Sequence, residues 1–415
     1  MEQYIVTAEK MVYGGDCLCK INGKNVFIPF VIPGEKVKIE IFKSYRDYDL
    51  ARPVEILEPS FHRVKPVCPL YAVCGGCNMQ HISADFQREL RVSMLKESFT
   101  REGIDCPEIQ VISGNDFGYR GRIQLTDGSF NRKNSNETVC LDYCPVATKE
   151  INSYLKSTPQ NLRPKGRVHI FADERVTDTY NSPFSKTVIA DEKENNLWLQ
   201  KTVGKSSRKL KNKVQQRFAG TVNDSSSKCS VLLNGKTLQF DVKGFFQSNL
   251  EVLEKTIQEV KFNMGGENLL DMYSGCGTFS VFLGNLFNKT YLVEHNRDAL
   301  VNAEINMAGI NHESYGVSGE RWTKVNAPVI LSKCGGRFDA VVIDPPRSGM
   351  EKEVSDWLCK NKTGQIRSIS CNSSTHARDA KKLIQAGYRL TGLFLLDFYP
   401  QTSHIESLAC FEYTE

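Results

Sequence analysis

The sequence predicts an α/β protein whose C-terminal part is a Rossmann-like, doubly wound sheet, preceded by a small β-barrel and a central mixed α+β domain. Strand and helix patterns alternate in residues 231–415, whereas residues 1–58 hold short β-branched runs broken by glycine turns. The less regular stretch between them, residues 59–230, contains a cysteine cluster and a helical pattern from Ser83 to Arg101. We therefore expect three domains, with boundaries near residues 58 and 230.

The composition is that of an ordinary globular chain. Its 415 residues are 40% hydrophobic and 24% charged, enough for two or three domains with cores of their own. No apolar stretch is long enough to span a bilayer, and the first ten residues, MEQYIVTAEK, lack the apolar core of a signal peptide. We expect a cytoplasmic protein without membrane association, and no obligatory protein partner is evident.

The charge is unevenly distributed along the chain. The net charge is only +5, but seven basic and no acidic residues lie between Lys201 and Arg217. A charge run of this kind is usually a solvated loop, so it supports RNA binding only together with other features.

The N-terminal segment carries its turns at fixed intervals. An Asn-Gly pair between apolar runs, Asn22-Gly23, is a strong hairpin signal, and several short strands at this spacing are typical of a small barrel. Basic and aromatic residues follow at Lys43, Tyr45 and Arg46, which suits a surface that binds single-stranded RNA.

The C-terminal segment alternates buried strand patterns with helices. The strands are NLLDM, TYLVE, FDAVVID, IRSISC and YRLTGLFLL, and helical patterns include Asp298–Met307 and Thr375–Ala386. The final run, SLACFEYT, has no helix after it, so we expect it to be an antiparallel strand at the edge of the sheet.

A glycine loop follows the first of these strands. Gly275 and Gly277 allow a tight turn close to a ligand, and Glu294, at the end of the next strand, can accept ribose hydroxyls. A nicotinamide dinucleotide would require a third glycine where Ser280 stands. Asp271 before the loop favours the cationic S-adenosylmethionine, although the loop alone is also compatible with a structural turn.

The third strand ends in the sequence DPPRSG. Asp344 lies where ligands bind in open α/β sheets, and Pro345-Pro346 fixes a rigid turn. A purely structural turn is the alternative. Many enzymes that methylate exocyclic amines have an aromatic residue where this chain has Arg347, which argues against that reaction.

The fourth strand ends at Cys371 and is followed by a helix. Asn372 and the next three residues are good helix N-cap types, and Gly387 suits the C-terminal cap. A helix N-terminus favours the thiolate form of a cysteine, so Cys371 is a candidate nucleophile. A buried structural cysteine is the more common alternative.

This nucleophile suits methylation at carbon 5 of uracil. A thiolate that adds to carbon 6 creates an enolate, which can attack a methyl sulfonium, and a general base must then remove the proton on carbon 5. His404 and Glu406 precede the last strand, and Glu406 is the better candidate for the base.

Closely spaced cysteines flank a Gly-Gly turn in the central segment: Cys68, Cys74 and Cys77. Cys144, which precedes a proline, is the candidate fourth ligand, with Cys140 a weaker one. Zinc is the alternative, but zinc sites usually show two compact cysteine pairs. The pattern therefore favours a [4Fe-4S] cluster.

Together these segments resemble the RNA 5-methyluridine methyltransferases of the TrmA/RumA type over nearly the whole chain. The resemblance implies an N-terminal TRAM domain that binds RNA, a class I methyltransferase domain, S-adenosylmethionine and a [4Fe-4S] cluster. The motifs CPLYAVCGGCNMQH, YCPVA, FFQSN, DMYSGCGT, DPPRSG, SCNSSTHARD and HIES carry it. It implies cluster ligands Cys68, Cys74, Cys77 and Cys144; cofactor contacts Gln247, Tyr273, Thr278, Glu294, Ser318 and Asp344; nucleophile Cys371; and base Glu406.

The resemblance also implies a substrate. Family members with both a TRAM domain and a cluster tend to act on large-subunit ribosomal RNA, which favours a 23S rRNA uridine, with transfer RNA second. The family often has Pro-Ala where this chain has Ser373-Ser374, and some members have Asn in place of Thr278. Formation of 5-methylcytidine is an alternative, but it usually requires a second cysteine where Arg347 stands. An RNA-binding or folding module is another, which the presence of Cys371 and Glu406 disfavours.

Overall fold

The computed structural model describes residues 2–178, 186–191 and 227–413, so the basic run from Lys201 to Arg217 lies outside the described residues. The N-terminal segment forms a six-stranded sheet in the order β1-β5-β6-β4-β3-β2. Its strands are β1 (Gln3–Thr7), β2 (Lys10–Met11), β3 (Cys17–Ile21), β4 (Lys24–Ile28), β5 (Lys36–Ser44) and β6 (Tyr48–Glu58). The predicted N-terminal β domain is confirmed.

The β3–β4 hairpin turns at the predicted Asn-Gly pair. Asn22 and Gly23 have φ angles of 51° and 81°, the left-handed conformation that a two-residue turn of this class requires. The segment before β5 is linked to the segment after β6, because the buried Glu35 carboxylate accepts hydrogen bonds from Arg63 at 2.5 and 2.6 Å. Its buried residues belong to the same hydrophobic core as α1 and part of the C-terminal sheet. The β domain is therefore packed into the rest of the chain.

The central segment combines helices with small antiparallel sheets. The predicted helix is α1 (Ala84–Arg101), which begins after its N-cap residue Ser83 and is confirmed; α2 (Lys149–Ser157) is shorter. The strands are β7 (Ile109–Ile112), β8 (Arg122–Thr126), β9 (Phe130–Asn131), β10 (Thr138–Val139), β11 (Arg167–Ala172), β12 (Val176–Asp178), β13 (Thr187–Asp191), β14 (Lys228–Leu233) and β15 (Lys236–Asp241). None of the helices in the described ranges, the 18-residue α1 included, combines the length and apolarity needed to cross a membrane.

The C-terminal segment forms the predicted doubly wound sheet, with helices between its strands. The strands are β16 (Gly266–Met272), β17 (Phe287–Val293), β18 (His312–Tyr315), β19 (Ala340–Ile343), β20 (Gln365–Ser370), β21 (Arg389–Leu396) and β22 (Glu406–Glu412). The helices are α3 (Leu250–Lys261), α4 (Ser280–Leu283), α5 (Arg297–Asn306), α6 (Gly319–Arg321), α7 (Ala327–Lys333), α8 (Lys352–Asn361) and α9 (Ser373–Gln385). The two helices predicted from periodicity correspond to α5 and α9.

The strand order of this sheet is β18-β17-β16-β19-β20-β22-β21-β7. Strand β16 pairs in parallel with both β17 and β19, so the connections change direction there, and ligands bind beside the carboxyl ends of strands at such a point. The last strand, β22, is antiparallel as expected, but it lies between β20 and β21 and not at an edge.

The edge position is taken by a strand from outside the C-terminal segment. Strand β7 pairs in parallel with β21, so residues 109–112 extend the sheet although they lie in the predicted central domain. The final strand is enclosed by β20 and β21, and β7 in turn covers the outer side of β21. The boundaries near residues 58 and 230 remain predictions, since the sheet joins elements from both sides of the second one.

Candidate active site

The glycine loop follows β16 and folds back against β17. The N–H groups of Tyr273 and Ser274 both donate to the carbonyl of Val293, at 2.9 and 3.1 Å. Gly277 has a φ angle of 78°, and a Cβ atom there would lie 3.4 Å from Ala303 of α5. Glycine therefore permits both the left-handed turn and the close approach of the helix.

Glu294 follows β17 directly and ties the two strand ends together. Its carboxylate accepts hydrogen bonds from the N–H groups of Gly275 at 3.0 Å and Asn296 at 2.6 Å. The side chain is largely buried. Its Oε2 atom keeps a second acceptor site, whereas Oε1 also lies 3.2 Å from Nδ1 of His295. The position agrees with the prediction that Glu294 lies beside the glycine loop, where it can accept hydroxyl groups of a ligand.

Three carboxylates share the point where the sheet changes direction. Burial raises the pKa of Asp271 to about 7, with a further contribution from Glu294, although the carboxylate also accepts a 2.5 Å hydrogen bond from Ser280. Burial, Asp271 and Glu294 likewise raise the pKa of Asp344 to about 7. Carboxylates that repel one another in this way favour a cationic ligand, which would lower both pKa values.

The remaining predicted cofactor contacts lie around the same strand end. The Tyr273 hydroxyl accepts the N–H of Glu351 at 3.2 Å, and the Glu351 carboxylate accepts the N–H of Glu320 at 2.7 Å. Ser318 is the N-cap of α6, the short helix that contains Glu320, so it lies near Tyr273. Thr278 lies in the glycine loop itself, 3.5 Å from the sulfur of Cys276.

Cys371 occupies the junction between β20 and α9. The following residue, Asn372, is the N-cap, and its side chain accepts hydrogen bonds from the N–H groups of Ser374 and Thr375 at 3.0 and 3.3 Å. Gly387, with a φ angle of 101°, follows the C-cap of the helix. The helix therefore begins and ends as its sequence predicts, and its start places the partly buried Cys371 at the carboxyl edge of the sheet.

The expected thiolate preference of Cys371 is wrong in direction. Its pKa is raised, first by burial and then by the negative charges of Glu406 and Asp344, while Arg347 opposes the increase. Burial and the nearby carboxylates both disfavour a negative charge on the sulfur. The thiol is therefore protonated at neutral pH and needs a compensating charge or a proton acceptor to react.

Glu406 is the first residue of β22 and faces the same space. Its carboxylate is 4% exposed, and its Oε2 atom accepts a 3.2 Å hydrogen bond from Nε2 of Gln247. Burial and Asp344 raise the pKa of Glu406 to about 8, while Gln247 and Arg347 act in the opposite direction. A carboxyl group that titrates near neutrality is well matched to proton abstraction.

His404 lies two residues before Glu406 but has no polar contact with it among the described residues. Its ring packs against Tyr399 with centroids 5.7 Å apart. Burial lowers the pKa of His404, and nearby arginines, Arg347 first, lower it further. The imidazole is therefore neutral at physiological pH.

Arg347 is a site residue that sequence reasoning used only to exclude a reaction. Its backbone carbonyl accepts the Thr375 hydroxyl at 3.2 Å, and the carbonyl of Ser348 accepts Arg378 at 3.0 Å. These bonds fix the loop after Asp344 to α9. The exposed Arg347 guanidinium thereby lies close enough to affect the pKa of both Cys371 and Glu406.

The four predicted cluster cysteines are Cys68, Cys74, Cys77 and Cys144, and the charge of Arg120 acts on the last three. Their thiols are free, and the pKa values of three are raised by burial and by one another: Cys74, Cys77 and Cys144, with Cys68 acting on Cys74. Backbone N–H groups of Gly76, Val146 and Ala147 point at two of the sulfurs. The exposed Cys140 instead contacts Asp142. Within the described ranges, no group of three or more His, Cys, Asp or Glu residues is arranged around one metal-ion position, so the cluster remains a prediction.

Comparison with known proteins identifies the family. Residues 102–412 match the model of the tRNA (uracil-5-)-methyltransferases, and residues 5–54 match the TRAM domain. The first match covers most of the chain, including the glycine loop, Cys371 and Glu406. The second covers the N-terminal sheet almost completely.

Individual relatives agree with these matches. An RNA methyltransferase of Treponema denticola is 35% identical, with 99% of each chain covered. The 23S rRNA (uracil(1939)-C(5))-methyltransferase RlmD of Photorhabdus laumondii is 28% identical over 98% of this chain and 95% of its own. The solved structure of the Pyrococcus abyssi tRNA (uracil-54, C5)-methyltransferase shares the fold, with a TM-score of 0.70 at 21% identity over 98% of this chain and all of its own. The chain therefore belongs to the S-adenosylmethionine-dependent RNA 5-methyluridine methyltransferases of the TrmA/RumA type.

Proposed function

We propose that this protein methylates carbon 5 of a uridine in 23S ribosomal RNA through a covalent bond between Cys371 and carbon 6 of the base. The observation that carries the proposal is the convergence of Cys371, Glu406 and Asp344, whose charges alter one another's pKa values. The mechanism requires both a nucleophile and a base beside the methyl donor, and these residues supply them from separate strand ends.

The residues at the sheet edge fit S-adenosylmethionine. The Asp344 carboxylate would balance the positive charge of the donor, and the Glu294 carboxylate would accept its ribose hydroxyls. The other predicted contacts are Gln247, Tyr273, Thr278 and Ser318. When bound, the donor supplies an electrophilic methyl group to the activated carbon 5. The buried Oε1 atom of Gln247 and the Ser274 hydroxyl have no hydrogen-bond partner among the described residues, as expected of groups that bind a ligand.

The chain's own residues then perform the bond changes on uracil. The Cys371 thiol first loses its proton to solvent. The resulting thiolate forms a bond to carbon 6, and the electron pair of the ring double bond moves to the carbonyl at carbon 4. After carbon 5 has gained its methyl group, the Glu406 carboxylate takes the proton from carbon 5. The electrons of that C–H bond restore the ring double bond, and the S–C6 bond breaks to release Cys371 as thiolate.

The preference for 23S rRNA rests on domain composition and similarity. The chain combines a TRAM domain with the four cysteines of the predicted cluster, and the Photorhabdus relative, which it matches over nearly its whole length, is named for a 23S rRNA uridine. Transfer RNA is the second candidate, because the Pyrococcus abyssi enzyme of the same fold acts on uracil 54 of tRNA.

We also propose that Cys68, Cys74, Cys77 and Cys144 hold a [4Fe-4S] cluster. Their mutual proximity, the N–H groups directed at the sulfurs and the cation of Arg120 all suit a group bound by four thiolates. Anaerobically purified protein should be brown and contain about four irons per chain, and a Cys144→Ser variant should lose them while Cys140→Ser retains them. Stoichiometric zinc without iron would contradict this proposal.

The substrate is tested by mapping 5-methyluridine in cellular RNA with and without the protein. We expect one or more methylated positions of 23S rRNA to disappear while tRNA is unchanged. If 5-methyluridine disappears only from tRNA, the substrate is tRNA and not 23S rRNA. If it disappears from neither RNA, the result favours an RNA-binding role without catalysis.

The covalent step is tested with RNA that carries 5-fluorouridine at the mapped position. Fluorine at carbon 5 cannot leave as a proton, so the wild-type protein should form a complex that survives denaturant. Cys371→Ala should form none, whereas Cys359→Ala, another partly buried cysteine, should form as much as wild type. Equal trapping by Cys371→Ala would disprove the assignment of the nucleophile.

A further inference from the structure

The loop between β2 and β3 of the TRAM domain reaches the catalytic edge of the C-terminal sheet. It turns tightly at Gly14 and Gly15, with φ angles of 101° and 90°, and the N–H of Gly15 donates to the carbonyl of Val12 at 2.9 Å. Tyr13 is at the tip of this turn and is 48% exposed. A large aromatic side chain is thus held on a fixed backbone at the surface.

Asn78 joins this loop to the segment that carries the base. Its Nδ2 atom donates to the carbonyl of Gly14 and to the Ser403 hydroxyl, each at 2.9 Å, and its Oδ1 atom accepts the N–H of Ser403 at 2.9 Å. A Cβ atom on Gly15 would lie 2.6 Å from Asn78 and 2.9 Å from Ser403. Only glycine therefore permits the loop to pack this closely against the residues immediately before His404 and Glu406.

Tyr13 is consequently close to the reacting groups. Burial raises the pKa of its hydroxyl, Arg347 lowers it, and the charges of Cys371 and Glu406 raise it further. Cys371, Glu406 and Arg347 therefore all lie close enough to affect the pKa of Tyr13. The neighbourhood is also partly open, since Tyr13 and Arg347 are both exposed.

We propose that Tyr13 is an RNA contact of the active site, which packs against the target nucleotide and holds it over Cys371. The inference rests on the proposed function. An exposed aromatic ring on a rigid turn suits an unstacked nucleobase, and a uridine must leave its stack before carbon 6 can meet a thiol. The TRAM domain would thus contribute to catalysis directly, in addition to binding RNA elsewhere on its surface.

The first test compares Tyr13→Ala and Tyr13→Phe with Phe262→Ala. This control removes an exposed ring that precedes the amino end of β16, whereas the reacting groups lie at the carboxyl ends of the strands. We expect Tyr13→Ala to lower kcat/KM for a 23S rRNA fragment by about 10- to 100-fold, the effect of losing one base-stacking ring. Tyr13→Phe and Phe262→Ala should remain close to wild type. S-adenosylmethionine affinity should be unchanged in all three.

The second test uses the glycines of the turn. Gly14→Ala and Gly15→Ala share the cost of a left-handed φ angle, but the added Cβ atom would meet open space in the first variant and collide with Asn78 and Ser403 in the second. Gly15→Ala should displace the loop and reproduce the RNA defect of Tyr13→Ala. Gly14→Ala should be much milder.

The outcomes separate this inference from the proposed function. A wild-type protein that does not methylate the RNA would refute the proposed function. Full methylation by wild type together with normal kcat/KM in Tyr13→Ala would refute the role of Tyr13 alone. A Tyr13→Ala variant that also loses S-adenosylmethionine binding would refute it too, because the side chain would then support the fold or the donor site.

Discussion

The side-chain amide of Gln247 donates a 3.2 Å hydrogen bond to Oε2 of Glu406, which links the segment before α3 to the start of the last strand. Sequence resemblance implies that Gln247 contacts the methyl donor. In the structure its Nε2 atom instead holds the candidate base, while its buried Oε1 atom has no partner among the described residues. One residue can therefore orient the base and still present an acceptor to a ligand.

Replacing Gln247 by Leu should shift the pH dependence of product release upward. The hydrogen bond from Gln247 lowers the pKa of Glu406, so its loss raises that pKa from about 8 and leaves less carboxylate at a given pH. The decay of the covalent complex should be followed in single turnovers from pH 7 to 9.5. Gln239→Leu, in β15, provides a control, and an unshifted profile for Gln247→Leu would contradict the role of this bond.

Replacing Glu406 by Gln should separate addition from release. The amide keeps the shape of the side chain but cannot take a proton, so RNA should still be attached and methylated while the adduct persists. A methylated covalent complex should accumulate on denaturing gels, with turnover reduced by about 10²- to 10⁴-fold, the usual contribution of a general base. Full turnover in this variant would show that another group removes the proton.

The reactivity of Cys371 should respond to its charged neighbours in opposite directions. Glu406 raises and Arg347 lowers the pKa of the Cys371 thiol, so Glu406→Gln should move its alkylation to lower pH and Arg347→Gln to higher pH. Alkylation by iodoacetamide can be measured for the individual peptide by mass spectrometry, without RNA. Arg389→Gln, at the start of β21, should leave the profile unchanged. Shifts of the same sign in both variants would contradict the electrostatic explanation.

Much of the C-terminal domain could be predicted because its signals are local. Buried strand runs, the glycines of the loop and the cap residues Asn372 and Gly387 each specify their own conformation. The ends of parallel strands meet at one edge, so Asp344, Glu294 and Cys371 could be assigned to a common site from the order of elements alone. Glu406 joined them through its position before the last strand.

The remaining features depend on contacts between distant segments. Nothing in residues 109–112 marks β7 as a partner of β21, and nothing before β22 shows that this last strand will insert between β20 and β21. The raised pKa of Cys371 arises first from burial and then from Glu406 and Asp344 at the ends of other strands, so a prediction based on its own helix gave the wrong direction. The contact of the Tyr13 loop with Ser403 spans nearly the whole chain.

Removing one partner of the buried ion pair between Arg91 and Asp397 should destabilise the fold strongly. Nη1 of Arg91 lies 2.6 Å from Oδ1 of Asp397, and both side chains are almost fully buried between α1 and the end of β21. Arg91→Leu would leave the carboxylate with only Arg88 at 3.6 Å and should lower the free energy of unfolding by about 3–5 kcal/mol. Denaturant unfolding should show recovery in the Arg91→Leu/Asp397→Leu double variant. An additive loss in the double variant would contradict the pairing.

The TRAM surface around Lys43, Tyr45 and Arg46 should bind RNA through two separable contributions. Lys43 lies over the Tyr45 ring at 4.9 Å, and that ring stacks on Tyr48 with centroids 4.6 Å apart, which forms an exposed platform with positive charge beside it. Because phosphate contacts release counterions, the Lys43→Ala/Arg46→Ala variant should weaken binding most at low salt and reduce the salt slope by about 0.7–0.9 per lost contact. Tyr45→Ala should weaken binding by about 1–3 kcal/mol at every salt concentration, because stacking carries no net charge.

Substitutions are preferable to deletion of the domain, whose core is continuous with that of α1. RNA affinities should be measured across a salt series. The charge-matched control is the Lys360→Ala/Arg389→Ala variant, whose residues lie in α8 and at the start of β21 of the C-terminal segment. Equal salt slopes for the test and control pairs would show that this face does not bind the RNA backbone.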